Sequence, residues 1–418
     1  MTRSPIYALP TELLAIVVGC LDELDEKLQC RLIDRRFGNA VEMPTSWRSV
    51  KRCALVECSH GGEAGVLELN GVNYQLSKFQ SVNCLIWLLE KLTSLQSLRV
   101  VATQPSRCLP PLSLVETLLT ASKRTLNVLS LEIVLNDRQD YNCLMALLKL
   151  VGNFAIPTYC NIESRCIEPV GTDMPLQLLD CLHHSTALLT SLRLVQLSHD
   201  DTGSNRTDEP ATTNIDVALA TIKCLRHKPL KYVHLLMMGW PKAEMLAETL
   251  NTIQLEPGLE TLRLEQRGGT VESDCGHFDS VEFWTTIDAR VLRRLTTLHL
   301  NLGTAPQATL NATRLWLHLI AEKCPLLDRL ILESAGLPAL NQSAFTLLVA
   351  DWLHRLGANH ANVWYWPVRR NVELCASLEA LGCRVTMGNT DRRRLNRKGC
   401  CLLVEKATKA ITLNLMLV

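Results

Sequence analysis

Seven short apolar segments with one spacing recur along the chain. In each segment apolar residues occupy the first, fourth and sixth positions, and a run with helical periodicity precedes it. The segments are Leu95–Val100, Leu126–Leu131, Leu189–Leu194, Leu230–Leu235, Leu259–Leu264, Leu295–Leu300 and Leu327–Leu332. Most lie about 30–40 residues apart, which is the period of repeats that combine one helix with one strand. The pattern therefore predicts an α/β repeat array with one strand per segment.

Helical periodicity between these segments predicts the helices of the array. They are Gln80–Leu92, Leu112–Ser122, Tyr141–Val151, Leu176–His184, Ile215–Leu225, Ala243–Ile253, Val281–Leu292, Thr313–Lys323 and Phe345–Leu356. Two periods separate Leu126 from Leu189, so we expect a degenerate strand at Ile156–Ile162. Asn362–Trp366 is predicted as an eighth clear strand, in which aromatic residues replace leucines.

The array is expected to occupy residues 76–367, with a polar surface insertion at 198–214. Residues 51–75 are expected to be a connector with two short strands, Cys53–Glu57 and Val66–Leu69. Residues 368–418 are predicted to form a C-terminal α/β cap, because a repeat array must cover its last hydrophobic face. The cap elements are a helix at Val372–Leu381 and strands at Cys383–Met387 and Cys400–Val404.

Residues 1–50 have a different pattern and are predicted to be a separate module. Two helical runs, Glu12–Leu21 and Glu26–Phe37, precede a short third segment that ends at Trp47–Val50. Three helices of this size bury little surface, so we expect the module to dock on another structure.

This module resembles the F-box. The matching residues are Leu9-Pro10, Glu12-Leu13-Leu14, Val17, Leu21, Ile33, Arg35-Arg36-Phe37, Trp47-Arg48 and Val50. The chain departs from the family at Lys27 and Asp34, where an apolar residue and a Cys or Ser are common. The resemblance implies contacts with the Skp-type adaptor of a cullin–RING ubiquitin ligase, made by Leu9, Pro10, Leu14, Leu28 and Ile33. The alternative is that these apolar residues only hold the helices onto the repeats.

The repeat array resembles an irregular leucine-rich repeat solenoid. The resemblance implies a parallel sheet on the concave side and helices on the convex side. Together, the two resemblances imply a substrate receptor of an SCF-type ubiquitin ligase, with the adaptor and a cullin as partners and a protein as substrate. A repeat-based interaction scaffold outside any ubiquitin ligase is the alternative.

Composition favours a globular protein of the cytoplasm or nucleus. The chain has 418 residues, a net charge of +1 and 17 cysteines without a CxxC pair or zinc-finger spacing, which suggests reduced thiols. The apolar run Leu13–Leu21 lacks a cleavage site and fits a buried helix, and no segment is apolar enough to span a membrane. Neither a nucleotide-binding loop nor a catalytic motif occurs, so we expect no enzymatic activity, cofactor or metal site.

One column of residues suggests a binding surface on the array. The fifth residue of each segment is Arg99, Ser130, Arg193, His234, Arg263, His299 and Ile331 in turn. In parallel strands about 4.8 Å apart these side chains would lie side by side, and like charges so close repel. We therefore hypothesise that Arg99, Arg193, His234, Arg263 and His299 bind an acidic or phosphorylated substrate segment. The alternative is local neutralisation by Glu132, Glu260 and Glu265.

A second basic feature is the segment Arg392–Lys398, which is predicted to be a loop. It suits a solvated hairpin loop, a nuclear-import signal or an RNA contact. The near-neutral net charge and the lack of interleaved aromatic residues argue against nucleic acid.

Overall fold

The computed structural model describes most of the first 334 residues and the strands beyond them. The described residues are 6, 9–21, 23–56, 65–76, 79, 81–103, 112–165, 173–186, 188–195, 212–237, 243–266, 281–301, 310–334, 360–365, 383–389, 400–406 and 409–417. They form a mixed α/β structure with twelve α-helices and fifteen strands. Most neighbouring strands run parallel to each other. The chain divides into two compact units: residues 1–170 with 184–188, and residues 171–183 with 189–418.

Several predicted segments lie outside the described residues. They are most of the insertion 198–214, the helices Phe345–Leu356 and Val372–Leu381, and the basic segment Arg392–Lys398.

The first unit begins with a small helical bundle. Its elements are α1 (Thr11–Gly19), α2 (Leu24–Cys30), α3 (Arg35–Glu42) and a 3₁₀ turn (Pro44–Trp47). The prediction of one helix over Glu26–Phe37 is wrong, because Asp34 begins a new helix. Its Oδ1 accepts hydrogen bonds from the amides of Arg36 at 2.8 Å and Phe37 at 2.9 Å, as an N-cap does.

A buried lysine lies inside this bundle. Lys27 is 1% exposed, and its Nζ donates hydrogen bonds to the Ser46 carbonyl at 2.9 Å, the Ser49 hydroxyl at 3.0 Å and the Gly19 carbonyl at 3.3 Å. The ammonium group also lies 5.6 Å from the centre of the Trp47 ring. Burial of a charge is costly unless hydrogen bonds replace its water, and these three acceptors do so for Lys27.

Six strands form the sheet of the first unit. They are β1 (Arg52–Val56), β2 (Val66–Leu69), β3 (Val72–Gln75), β4 (Ser97–Ala102), β5 (Val128–Leu135) and β6 (Thr158–Ser164), in the order β3-β2-β1-β4-β5-β6. The first three pair antiparallel, whereas β1, β4, β5 and β6 are parallel. Strands β1 and β2 match the two short strands predicted within residues 51–75, β3 was not predicted, and the degenerate strand at Ile156–Ile162 is confirmed as β6.

Helices alternate with these parallel strands. They are α4 (Val82–Lys91), α5 (Leu112–Ala121) and α6 (Arg138–Gly152). Ser81 and Asp137 cap α4 and α6 through their side-chain oxygens. Helices α4 and α5 pack on each other.

The second unit continues the alternation of helices with parallel strands. In chain order its elements are α7 (Asp173–Ser185), β7 (Leu189–Val195), α8 (Thr212–Leu225), β8 (Tyr232–Met237), α9 (Ala243–Leu250), β9 (Thr261–Gln266), α10 (Val281–Thr286), α11 (Ala289–Leu292), β10 (Thr297–Asn301), α12 (Leu310–Lys323), β11 (Arg329–Ser334) and β12 (His360–Tyr365). Strands β7 to β12 are adjacent and parallel in that order. The single helix predicted at Val281–Leu292 is wrong, because Asp288 caps a second short helix through the amide of Arg290 at 2.8 Å.

Three further strands follow in the second unit. They are β13 (Cys383–Asn389), β14 (Cys400–Lys406) and β15 (Lys409–Leu417). Strands β13 and β14 match the predicted cap strands. Strand β15 was not predicted; it pairs in parallel with β12 and antiparallel with β14.

Rows of apolar side chains form the core of both sheets. In the second unit the strand register aligns Leu192, Val233, Leu262, Leu298 and Leu330, and each is fully buried. In the first unit it aligns Leu55, Val100, Leu131 and Cys160 in the same way. Side chains alternate between the two sides of a sheet along each strand, so the residues next to these apolar positions point to the opposite side. That opposite side is named the polar face. Full burial of one leucine contributes about 1.5–3 kcal/mol.

Besides Cys160, three of the described cysteines are part of this core. Cys53 lies in β1, Cys224 in α8 and Cys324 just after α12. Burial raises the pKa of the Cys53 thiol, and it raises the pKa of Cys224 and of Cys324 to about 12. These thiols pack as small apolar side chains.

The β2–β3 hairpin depends on one glycine. Asn70 and Gly71 form its two-residue turn with φ angles of 50° and 95°. We expect Gly71→Ala to lower the free energy of unfolding by about 1 kcal/mol, because a Cβ is strained at this φ. Gly38 in α3 is the matched control: a Cβ there would meet only the Arg31 carbonyl, at 3.8 Å.

Gly38→Ala should therefore stabilise the protein slightly, since alanine is the better helix former. Urea unfolding followed by circular dichroism measures both effects. Equal midpoints for the two variants would contradict this account of the hairpin.

Candidate protein-interaction surfaces

Helix α1 presents apolar side chains on both of its faces. Leu14, Ala15 and Val18 are buried inside the bundle. Leu13, Ile16 and Val17 are spaced by three and four residues, so they share a second face, and all three are exposed, Ile16 by 55%. Such a helix has one face for its own core and another available to a partner.

The turn between α2 and α3 adds two more exposed apolar residues. Leu32 is 85% exposed and Ile33 is 50% exposed. Arg31, Arg35 and Arg36 flank them and are exposed as well. The five side chains Leu13, Ile16, Val17, Leu32 and Ile33 together are named the bundle apolar surface.

The five residues expected to contact an adaptor differ in accessibility. Pro10 and Ile33 are exposed, whereas Leu9 and Leu28 are half-buried. Leu14 is 1% exposed, so this expectation is corrected: Leu14 packs in the bundle core and offers no surface to a partner. Ile16 was not predicted, although its spacing from Leu13 and Val17 was visible in the sequence.

A polar joint connects the bundle to the first helix of the array. The Trp87 indole Nε1 donates a hydrogen bond to Glu42 Oε2 at 2.8 Å, and Arg31 and Lys91 form ion pairs with the same carboxylate at 3.0 and 3.2 Å. The Arg31 guanidinium stacks 4.6 Å from the centre of the Trp87 ring, and Trp47 meets that ring edge-on. Burial alone would raise the pKa of Glu42, but the hydrogen bonds from Trp87 and Lys91 outweigh it and lower that pKa.

Asn70 ties the end of the bundle to the sheet. Its Oδ1 accepts hydrogen bonds from the amides of Lys51 at 2.9 Å and Arg52 at 3.1 Å, and its Nδ2 donates to the Ser49 carbonyl at 2.9 Å. The Tyr74 hydroxyl accepts a hydrogen bond from the amide of Leu24 at 3.0 Å, at the start of α2. The bundle is therefore held by side chains from the hairpin and from α4 rather than by the chain connection alone.

The column of fifth residues lies on the polar face, as the strand register shows. In the first unit Arg99 lies beside Ala54 on one side and Ser130 on the other. The Arg99 Nε and Nη2 donate to the two carboxylate oxygens of Glu132, both at 2.7 Å. This fork raises the pKa of Arg99 and lowers that of Glu132.

In the second unit the register aligns Arg193, His234, Arg263 and His299 on adjacent strands. The two arginines are half-buried. His234 and His299 are only 3% and 5% exposed, so the expectation that these histidines contact a substrate is corrected: both are packed within the protein.

His234 is the centre of a hydrogen-bond network. The Arg193 Nε donates to His234 Nδ1 at 3.1 Å, so this ring nitrogen must be unprotonated. The other nitrogen, Nε2, then carries the proton, and this N–H donates a hydrogen bond to Glu265 Oε1 at 2.7 Å. The pKa of His234 is lowered, first by burial and then by the charges of Arg263 and Arg193, which agrees with a neutral ring.

Glu265 neutralises Arg263 from a buried position. It accepts a hydrogen bond from the Arg263 Nε as well as from His234. Burial would raise its pKa, but the hydrogen bond from His234 and the charge of Arg263 lower it to about 2. Glu260, expected to join this neutralisation, instead lies 3.6 Å from Lys231.

No protein-family model matches this chain, and no curated protein matches it. Among the described residues, no three metal-ligating side chains of His, Cys, Asp or Glu are grouped to hold an ion. None of the described helices combines the length and the hydropathy that crossing a bilayer requires. The interpretation of this chain therefore depends on its fold and on the two surfaces, the bundle apolar surface and the polar face.

The His234 network predicts a pH dependence of stability. The pKa of His234 is lower in the folded protein than the usual value of about 6.5, so the unfolded chain binds the proton more readily. Its stabilising contribution is therefore complete above about pH 6.5 and declines as the pH falls from there towards the folded pKa. Glu265, with a pKa of about 2, stays ionised over that range.

The variant His234→Gln keeps a donor and an acceptor but takes up no proton. We expect wild type to lose more stability than His234→Gln between about pH 7 and pH 5, as measured by urea unfolding at both pH values. All other titrating groups are common to the two proteins. Parallel losses would show that His234 does not carry this dependence.

Proposed function

We propose that this protein is a non-catalytic substrate receptor of an SCF-type ubiquitin ligase in the cytoplasm or nucleus. The N-terminal bundle would be an F-box that binds a Skp-type adaptor and, through it, a cullin. The repeats would be a leucine-rich repeat solenoid that binds a protein substrate. The receptor would act by tethering: it raises the effective concentration of the substrate near the ligase without chemistry of its own.

The observation that carries this proposal is the bundle apolar surface. Soluble proteins seldom leave several large apolar side chains exposed on one helix and one turn of the same small bundle, because such surfaces favour association. Ile16 and Leu32 are exposed although the bundle already has a core of its own. The motif residues that resemble an F-box include Leu13 and Val17 of this surface.

The joint at Trp87 and Glu42 supports the same proposal. It fixes the bundle on α4, at the start of the parallel sheet of the first unit. A receptor that works by tethering gains from a stiff connection, because a fixed geometry concentrates the substrate in a smaller volume.

The repeated helix–strand units support the leucine-rich repeat part. Each of β5 and β6, and each of β8 to β12, lies next to the strand that precedes it in sequence. Their leucines form continuous buried rows, as expected when repeats stack.

A scaffold outside any ubiquitin ligase is the second candidate. Leu14 and Lys27 are buried within the bundle, and Trp87 docks the bundle on helix α4, so the bundle also suits a cap for the array. The two candidates differ in one property, which is binding to the adaptor.

The test is capture of purified Skp-type adaptor by the full-length protein. Both Ile16→Asp and Val17→Asp should weaken capture by about tenfold or more, because a carboxylate replaces an apolar contact. Both positions are exposed, so the variants should fold with unchanged circular dichroism.

Leu315→Asp is the matched control, since Leu315 is an exposed apolar residue of α12, outside the bundle. It should capture the adaptor as wild type does. Absence of capture by wild type, or equal capture by Ile16→Asp, would favour the scaffold.

A further inference from the structure

The polar face of the second unit has three rows of side chains that differ in chemistry. The register aligns each row across β7 to β11. The first row is Ser191, Tyr232, Thr261, Thr297 and Arg329; the second is Arg193, His234, Arg263, His299 and Ile331. The described side chains of the third row are Val195, Leu236 and Glu265.

Accessibility decreases from the first row to the third. The hydroxyl residues of the first row are half-buried and Arg329 is exposed, whereas the third row is buried throughout its described side chains. In the second row the arginines and Ile331 remain partly accessible and the histidines do not. Among the described side chains of this face, the accessible polar groups are therefore hydroxyls and guanidinium groups, and the one carboxylate is buried.

The three arginines occupy every second strand. Arg193 lies on β7, Arg263 on β9 and Arg329 on β11. At about 4.8 Å between strands, neighbours in this series are roughly 10 Å apart along the sheet. This spacing suits several carboxylates along an extended chain. A single phosphoryl group would instead require arginines that converge on one point.

The side chain of Arg263 is already positioned by a hydrogen bond within the protein. Its Nε donates to the buried Glu265, which His234 orients from the neighbouring strand at 2.7 Å. A guanidinium group has five N–H donors in a fixed fork, and the hydrogen bond that Arg263 donates to Glu265 uses its Nε. Less side-chain entropy is lost when a partner binds an arginine that is already positioned.

We propose that this face binds an extended, Asp- and Glu-rich protein segment. Arg193, Arg263 and Arg329 pair with its carboxylates, and the hydroxyl row donates further hydrogen bonds. The inference rests on the proposed function, for which it names the substrate class.

The test uses the full-length protein and fluorescent peptides of about eight residues, roughly 26 Å when extended, which exceeds the span of the three arginines. One peptide alternates Glu with Ser, a second replaces every Glu by Gln, and a third carries a single phosphoserine in the Gln sequence. Fluorescence anisotropy at about 0.1 M ionic strength measures binding. We expect the Glu peptide to bind at least tenfold more tightly than the other two and to weaken with added salt.

The variant Arg193→Gln/Arg263→Gln/Arg329→Gln should bind the Glu peptide at least tenfold more weakly than wild type. Arg99→Gln is the matched control, because Arg99 occupies the same strand position in the first unit and its fork is engaged by Glu132. It should bind within about twofold of wild type, as expected for a residue outside the site. Should the triple variant lose its circular dichroism, Arg329→Glu serves in its place, since Arg329 is exposed.

Several outcomes would overturn the inference. They are no binding of the Glu peptide, equal binding of the Gln peptide, or full affinity in the triple variant. Tighter binding of the phosphoserine peptide, or of single-stranded RNA, would assign the face to a different ligand. Adaptor capture is measured on the same variants and should be unchanged, so failure of this inference is distinguishable from failure of the proposed function.

Discussion

The whole array depends on the burial of two apolar side chains per strand in a shared register. In the second unit Leu262 and Leu264 of β9 align with Leu298 and Leu300 of β10, and all four are fully buried. A slip of one residue in β9 would move Arg263 to the core side of the sheet, which would bury its charge there. Arg263 therefore adds to the preference that the leucines give this register, because a slip of one residue would remove the arginine from the accessible face.

The bundle is stabilised in a different way, by polar groups at its edges. Three helices leave too little apolar core for comfortable stability, and the structure compensates with Lys27 inside and Trp87, Glu42 and Asn70 outside. These contacts stabilise the bundle through polar groups and do not bury the second apolar face of α1. Leu13, Ile16 and Val17 therefore remain on the surface, where a partner can reach them.

Sequence patterns predicted most of the array because its period is local. Where they failed, a single polar residue inside an apolar run decided the outcome: Asp34 and Asp288 each begin a helix within a run that was read as one. Both are aspartates, which commonly cap helices, so the sequence contains a signal for each helix start although the apolar periodicity continues past it. Strand β15 also had a signal, the alternation Ile411, Leu413, Leu415 and Leu417.

The candidate sites were less predictable than the fold. The register of Arg193, His234 and Arg263 follows from the repeats, but the burial of His234 depends on Glu265 and Arg193 from two neighbouring strands. Such a contact is non-local, and no spacing in the sequence encodes it. Leu14 and Ile16 illustrate the same limit, since a helix that is apolar all round does not show which face is inside.

The buried cysteines of the core allow local opening of this protein to be measured by thiol alkylation. Only a thiolate is alkylated, so a thiol with a raised pKa in a packed interior reacts only when its surroundings open. Cys53, Cys224 and Cys324 lie in three different parts of the chain, and separate parts of a folded protein can open with their own free energies. The exposed Cys20 and Cys84 would serve as fast-reacting internal references. Mass spectrometry of the alkylated peptides would then give a separate labelling rate for each buried cysteine of the wild-type protein.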